Sequence, residues 1–222
     1  MKTILPILIL SLTFSVAGQV TTSTTEIPES QHLLAEFKAA ELIKKANYRL
    51  VWTKEFFADR SKEAKLQEKT IREVLQPNKW RTIEERFIDN PSREERIWDG
   101  KALYVRLGDK PWEKFDGGGS TGARLETGQY RTQYKFLPAI DFEGGKADFY
   151  EHVSIRTANK YSQNNLIVVR YVRTTRSWYA LDGKILKKTE ETIIEGREEM
   201  LRETTTFEYD PKNLRVEAPH LK

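Results

Sequence analysis

The chain has 222 residues, with 37 Lys and Arg against 33 Asp and Glu, 38% hydrophobic residues and no cysteine. A net charge of +4 on so many ionic residues lacks the strongly basic profile of a nucleic-acid binder, and the apolar and aromatic content is enough for a folded core. Without Cys there is no disulfide framework, thiolate metal site, cysteine nucleophile or lipid-modified N-terminal cysteine.

Residues 1–18 open with Lys2, run through the apolar stretch Ile4 to Val16 and reach the small residues Ala17 and Gly18, the order of parts in a secretory signal peptide. The apolar run contains Pro6 and falls short of the ~20 residues of a membrane-spanning helix, so cleavage before Gln19 is expected. No later stretch is apolar enough to span. The expected product is periplasmic or secreted and not membrane-spanning. Residues 19–30 are Thr-rich and read as a flexible lead-in, leaving 31–222 as a single domain.

From Gln31 to Lys45, Leu33, Leu34, Phe37 and Ala40 recur at helical spacing, with Ser30 available as N-cap. This predicts one amphipathic helix, packed through Leu33, Leu34 and Phe37. At Asn47 the period changes. Tyr48, Leu50, Trp52 and Phe56 alternate with polar residues, as a strand with one apolar face does. Further strands follow around Lys62–Leu75 and Trp80–Ile88. Asp99-Gly100 between Arg96-Ile97-Trp98 and Ala102-Leu103-Tyr104-Val105 is a strong hairpin signal. Turn residues at Gly108, Gly144-Gly145, Asn164-Asn165, Asp182-Gly183 and Gly196 delimit strands at 130–137, 147–155, 166–174, 184–194 and 200–209. The fold class is mainly β (α+β). About ten or eleven antiparallel strands exceed what a flat sheet usually carries, which predicts a strongly curled half-barrel with the helix covering its concave face. The glycine run 117–119 reads as a loop, since it lacks the Lys-Ser/Thr of a phosphate cradle.

Little catalytic chemistry is legible. His32, His152 and His220 have no second ligand at metal-binding spacing, and no Gly-x-Ser-x-Gly elbow occurs. Neighbouring acids such as Glu84-Glu85, Glu94-Glu95 and Glu190-Glu191 point to opposite faces of a strand, and with the interleaved Lys and Arg they read as cross-strand ion pairs. The aromatics remain, including Trp52, Trp80, Trp98, Trp112 and Trp178. They fit an ordinary packed core and an apolar ligand cavity equally.

The segments Trp178-Tyr179-Ala180-Leu181-Asp182-Gly183-Lys184-Ile185-Leu186-Lys187, Phe207-Glu208-Tyr209-Asp210 and Leu214-Arg215-Val216-Glu217-Ala218-Pro219 carry a resemblance. So does Trp98 to Arg106 with Trp112 shortly after. Over about 31–219 the chain resembles the periplasmic LolA/LolB-like lipoprotein carriers and the LppX/LprG-type lipid-binding proteins. The resemblance implies a half-barrel lidded by helices that shields a lipid or acyl chain in transit, with no enzymatic residues and no cofactor. Arg49 is the candidate for the carriers' basic residue by position. The expected ligand is an acyl chain, lipid or lipoprotein, the expected partner is an envelope component that receives it, and the expected state is a monomer. The candidate cavity residues, chosen to share one face, are Leu50, Trp52, Phe87, Tyr134, Phe136, Phe149 and Val153. The alternatives are a non-catalytic interaction module with a filled core and an exported hydrolase with a site assembled across strands.

Overall fold

The computed structural model describes residues 25–60, 63–115, 130–162 and 165–220. Residues 1–18, expected to form a signal peptide, and the glycine run 117–119 lie outside them. The described elements are β1 (Thr25–Glu26), α1 (Glu29–Ile43), β2 (Tyr48–Phe57), β3 (Lys65–Leu75), β4 (Lys79–Arg86), β5 (Ser92–Trp98), β6 (Leu103–Leu107), β7 (Glu113–Phe115), β8 (Tyr130–Phe142), β9 (Gly145–Ser162), β10 (Asn165–Ala180), β11 (Ile185–Ile194) and β12 (Met200–Tyr209).

The strands form one 12-stranded sheet in the order β1-β8-β9-β10-β11-β12-β2-β3-β4-β5-β6-β7. Every pairing is antiparallel, and the end strands β1 and β7 are not joined, so the sheet is open. Two meanders, β2–β7 and β8–β12, are therefore joined where the last strand, β12, returns to pair with β2. Because β1 sits beside β8 and β2 beside β12, the chain between them must cross the intervening strands. The 15-residue helix α1 makes that crossing, with a length of about 22 Å.

Local chemistry sets the turns. At the β5–β6 turn, Asp99 Oδ1 accepts hydrogen bonds from the backbone N–H of Lys101 (2.8 Å) and Ala102 (2.9 Å), which holds its carboxyl below the usual range, and Gly100 takes φ +95°. At the β10–β11 turn, Asp182 Oδ1 accepts from Lys184 N (3.0 Å) and Gly183 takes φ +94°. Pro138 cannot donate to the ladder, and β8 absorbs it in a register shift between Leu137 and Ile140, where Ala139 has φ 48°.

The helix runs from Glu29 to Ile43 rather than from Gln31 to Lys45, with Pro28 at the N-cap in place of Ser30 and no side-chain cap hydrogen bond. Its packed stripe also differs from the expected one. His32 and Ala39 are buried, and Ala35 and Ile43 pack beside them against Tyr150, Tyr179, Ile185, Phe136 and Phe207. Leu33, Leu34 and Phe37 are instead 51%, 67% and 66% exposed. Small alanines let the helix approach the aromatic rings closely, so packing selects the stripe 32-35-39-43 over the more hydrophobic one.

Residues paired across antiparallel strands share a face, which separates the sheet into a helix face and its reverse. On the reverse, the C-terminal tail after β12 forms a second core cluster in which Val216 packs with Ile97, Ala102 and Tyr104, with Leu75 and Trp112 alongside. The reverse face also carries two ladders of alternating charge. One runs Lys135–Glu151–Arg176–Glu191–Arg202 across β8 to β12, and the other Arg49–Glu73–Arg81–Glu95–Arg106 across β2 to β6. Burial raises the Glu191 carboxyl, but hydrogen bonds from Arg202 and Arg176 outweigh it and hold the pKa below the usual value.

Candidate functional site

Strand register builds an apolar row on the helix face. Tyr209 pairs with Tyr48, Tyr48 with Val74, Val74 with Trp80, Trp80 with Trp98, Trp98 with Leu103 and Leu103 with Phe115. These side chains cross β12, β2, β3, β4, β5, β6 and β7 in sequence, a run of about 29 Å at ~4.8 Å per strand. Each of them is half-buried apart from Phe115, which is 45% exposed. The row belongs neither to the helix cluster nor to the tail cluster, which lies on the other face. It does join the helix cluster through Phe207, whose ring lies 6.3 Å from Tyr48 and 6.4 Å from Tyr209. Thus one apolar band runs across the helix face, packed under α1 at β8–β12 and without that helix from β2 outward. The next row carries Leu50, Arg72, Thr82 and Arg96, and the Arg72 guanidinium lies 5.7 Å from the centre of the Trp80 ring.

Along β2 a column leads from this row: Tyr48, Leu50, Trp52 and Phe56 lie on the helix face, interrupted by Lys54. Trp52 Nε1 donates to Glu203 Oε2 at 3.4 Å. Under the helix, Tyr134 stands 5.1 Å from the His32 ring and donates its hydroxyl to Glu29 Oε1 (3.0 Å), and Phe136 packs on Tyr150 at 4.7 Å. Burial raises the phenol pKa of Tyr179 and of Tyr150, and that of Tyr209 to about 12, so all three are neutral donors at physiological pH.

Of the residues expected to share one face, Leu50, Trp52, Tyr134 and Phe136 do so. Phe149 and Val153 do not. Phe136 stands opposite Tyr150, while Phe149 stands opposite Leu137 and Trp178, and Val153 opposite Gln133 and Thr174. A one-residue difference in register puts a side chain on the other face, so Phe149 joins Trp178 (5.2 Å) and Phe142 on the reverse. Phe87 follows the last residue of β4 and is 44% exposed. Arg49 also faces away from the apolar row, tied to Glu73, Glu208 and Asn213.

The row residues Val74, Trp80, Trp98, Leu103 and Tyr209 were absent from the expected set. A signal existed for some of them. Val74 and Trp80 flank one tight turn, and Trp98 and Leu103 flank the Asp99-Gly100 turn, so hairpin arithmetic pairs each couple. What it does not supply is their alignment with each other across five strands.

Among the described residues no group of His, Asp and Glu is arranged to hold a metal ion, and no helix is long and apolar enough to cross a membrane. No protein-family model matches this chain, and no curated protein matches it.

Proposed function

We propose that this chain is a non-enzymatic, exported lipid-binding protein of the LolA/LolB-like carrier kind, in which the sheet curls as a half-barrel around its helix face and holds an acyl chain there. The observation that supports this reading is the cross-strand row Tyr209–Tyr48–Val74–Trp80–Trp98–Leu103. It is narrow, long and apolar, no helix lies over it among the described residues, and its charged neighbours Arg72 and Arg96 lie one row away on the same face. A linear hydrocarbon matches that shape. At about 0.8 kcal/mol per methylene removed from water, a long chain binds without many polar contacts. Helix α1, anchored at one end of the same band, stands where a lid over the ligand would be hinged. The delivery partner is then an envelope component that receives the acylated cargo.

The test is binding of a fluorescent fatty acid to the purified chain, read both by probe emission and by quenching of the chain's own tryptophans. Saturable binding is expected, with loss of affinity in Trp98→Ala and Trp80→Ala. Urea midpoints of the same variants separate lost binding from lost folding. A wild-type chain that binds no probe, with variants that lose most of their stability, would favour the alternative of a filled, non-catalytic interaction module.

A further inference from the structure

At the far end of the β2 column, the helix face holds a pocket of about 300 Å³ between β9, β10, β11 and β12, lined by Ser154, Arg156, Tyr171, Arg173, Thr192 and Glu203. Register explains why these groups converge. Ser154 stands opposite Arg173, Arg156 opposite Tyr171, and Arg173 opposite Thr192, so two guanidinium side chains and three hydroxyl side chains come from neighbouring positions on one face. Arg173 is exposed and makes no hydrogen bond or ion pair with any described residue. Its charge acts with that of Lys188 to lower the pKa of Glu190 against the effect of burial. The one carboxylate in the lining, Glu203, is already engaged: it accepts from Trp52 Nε1 and stands opposite Lys54. Leu201 completes the wall, and it stands opposite Phe56, the last apolar residue of the column that begins at Tyr48. A cationic, hydroxyl-lined pocket thus closes one end of an apolar track.

We propose that this pocket seats a tetrahedral phosphate-type oxyanion, the head group of an amphiphile whose chain follows Phe56, Trp52, Leu50 and Tyr48. The donor set suits it. The forked guanidinium of Arg173 presents parallel N–H donors to phosphate oxygens, and the Ser154 and Thr192 hydroxyls donate to those that remain. The proposal rests on the acyl-chain reading given above. It adds that the ligand is an anionic phospholipid or alkyl phosphate rather than a neutral lipid.

The experiment compares dodecyl phosphate, dodecanol and inorganic phosphate on the full purified chain. The first two are run as competitors of the fluorescent fatty acid, and inorganic phosphate is titrated alone by calorimetry. Dodecyl phosphate is expected to displace the probe at least about tenfold more tightly than dodecanol, and Arg173→Gln is expected to erase that advantage while leaving dodecanol unchanged. Arg173 is exposed, so the variant should keep the wild-type urea midpoint. Equal displacement by dodecyl phosphate and dodecanol, insensitive to Arg173→Gln, would overturn the head-group site while leaving the acyl track standing. Arg173-dependent binding of inorganic phosphate as tight as that of dodecyl phosphate would overturn the lipid source in favour of free phosphate. If neither amphiphile displaces the probe, the acyl track itself fails, and the calorimetric phosphate titration alone decides the pocket, with no heat of binding counting against it.

Discussion

His32 Nε2 lies 3.3 Å from His152 Nδ1, and this contact joins helix α1 to strand β9. The His32 ring is 2% exposed and sits edge-on to both His152 (4.9 Å) and Tyr150 (5.7 Å). A single N–H···N hydrogen bond spans the two rings, and it is lost once both facing nitrogens carry protons. Burial lowers both pKa values, that of His152 to about 4, where the neighbouring His32 adds to the effect. Glu29 and Glu36 on α1 and Glu190 on β11 pull the two rings the other way, while Lys188 and Arg173 push with burial.

The helix junction is therefore acid-labile. In the unfolded chain a histidine takes up its proton near pH 6.5, whereas folded His152 resists until about 4. As pH falls through that window the unfolded state binds the proton first, and stability drops by about 1 to 2 kcal/mol once screening at the partly exposed ring is allowed for. Below pH 4 this contribution levels off. Urea midpoints at pH 7, 5.5 and 4.5 should fall for the wild type and fall less for His152→Phe. Parallel curves for the two chains would count against a neutral buried pair.

Ion pairs of similar length should differ sharply in worth. Glu95 is 3% exposed and bridges Arg81 and Arg106, each at 2.6 Å and each about one-third exposed. Lys146 and Asp141 also meet at 2.6 Å, but they are 55% and 90% exposed. Glu95→Ala removes the buried carboxylate that Arg81 and Arg106 share, leaving Arg81 with Glu73 and Arg106 with the Trp112 ring, and should cost about 2 to 4 kcal/mol. Asp141→Ala should stay within about 0.5 kcal/mol. Chemical denaturation of the two variants side by side reads the contrast.

The packed stripe of α1 makes a prediction opposite to that of hydrophobicity. Phe37→Ser removes a large apolar side chain that is 66% exposed and should leave stability within about 0.5 kcal/mol of wild type. Ala39→Leu inserts bulk at a residue 3% exposed beside Tyr150, Tyr179 and Ile185, and should cost about 1 to 3 kcal/mol. Thermal melts with the reverse ranking would return the helix to the Leu33–Leu34–Phe37 face.

The Gly183 turn sits against the same helix. Its φ of +94° disfavours any side chain, and an added Cβ would meet the aliphatic end of Lys38 at 2.6 Å. Gly183→Ala should destabilise by about 1 to 2 kcal/mol, chiefly through the backbone, because the Lys38 chain can swing away. Gly144→Ala, at φ +86° with open space around it, isolates the backbone part in the same assay.

Local sequence determined helix α1, strands β2–β6 and β8–β12 and the turns between them, though not the short strands β1 and β7, because alternation, Asp-Gly turns and helical spacing are properties of a few consecutive residues. It also determined that Glu94 and Glu95 point to opposite faces, Glu94 to Arg96 and Glu95 to Arg81 and Arg106. Tertiary structure alone decided what depends on registration between distant segments. That includes which stripe of α1 is buried, the meeting of His32 with His152, the reversal of Phe149 and Val153, and the alignment of Tyr209, Tyr48, Val74, Trp80, Trp98 and Leu103 in one row. The reason is that a strand carries its period of two wherever it is placed, whereas shifting its partner by one residue turns every side chain to the other face.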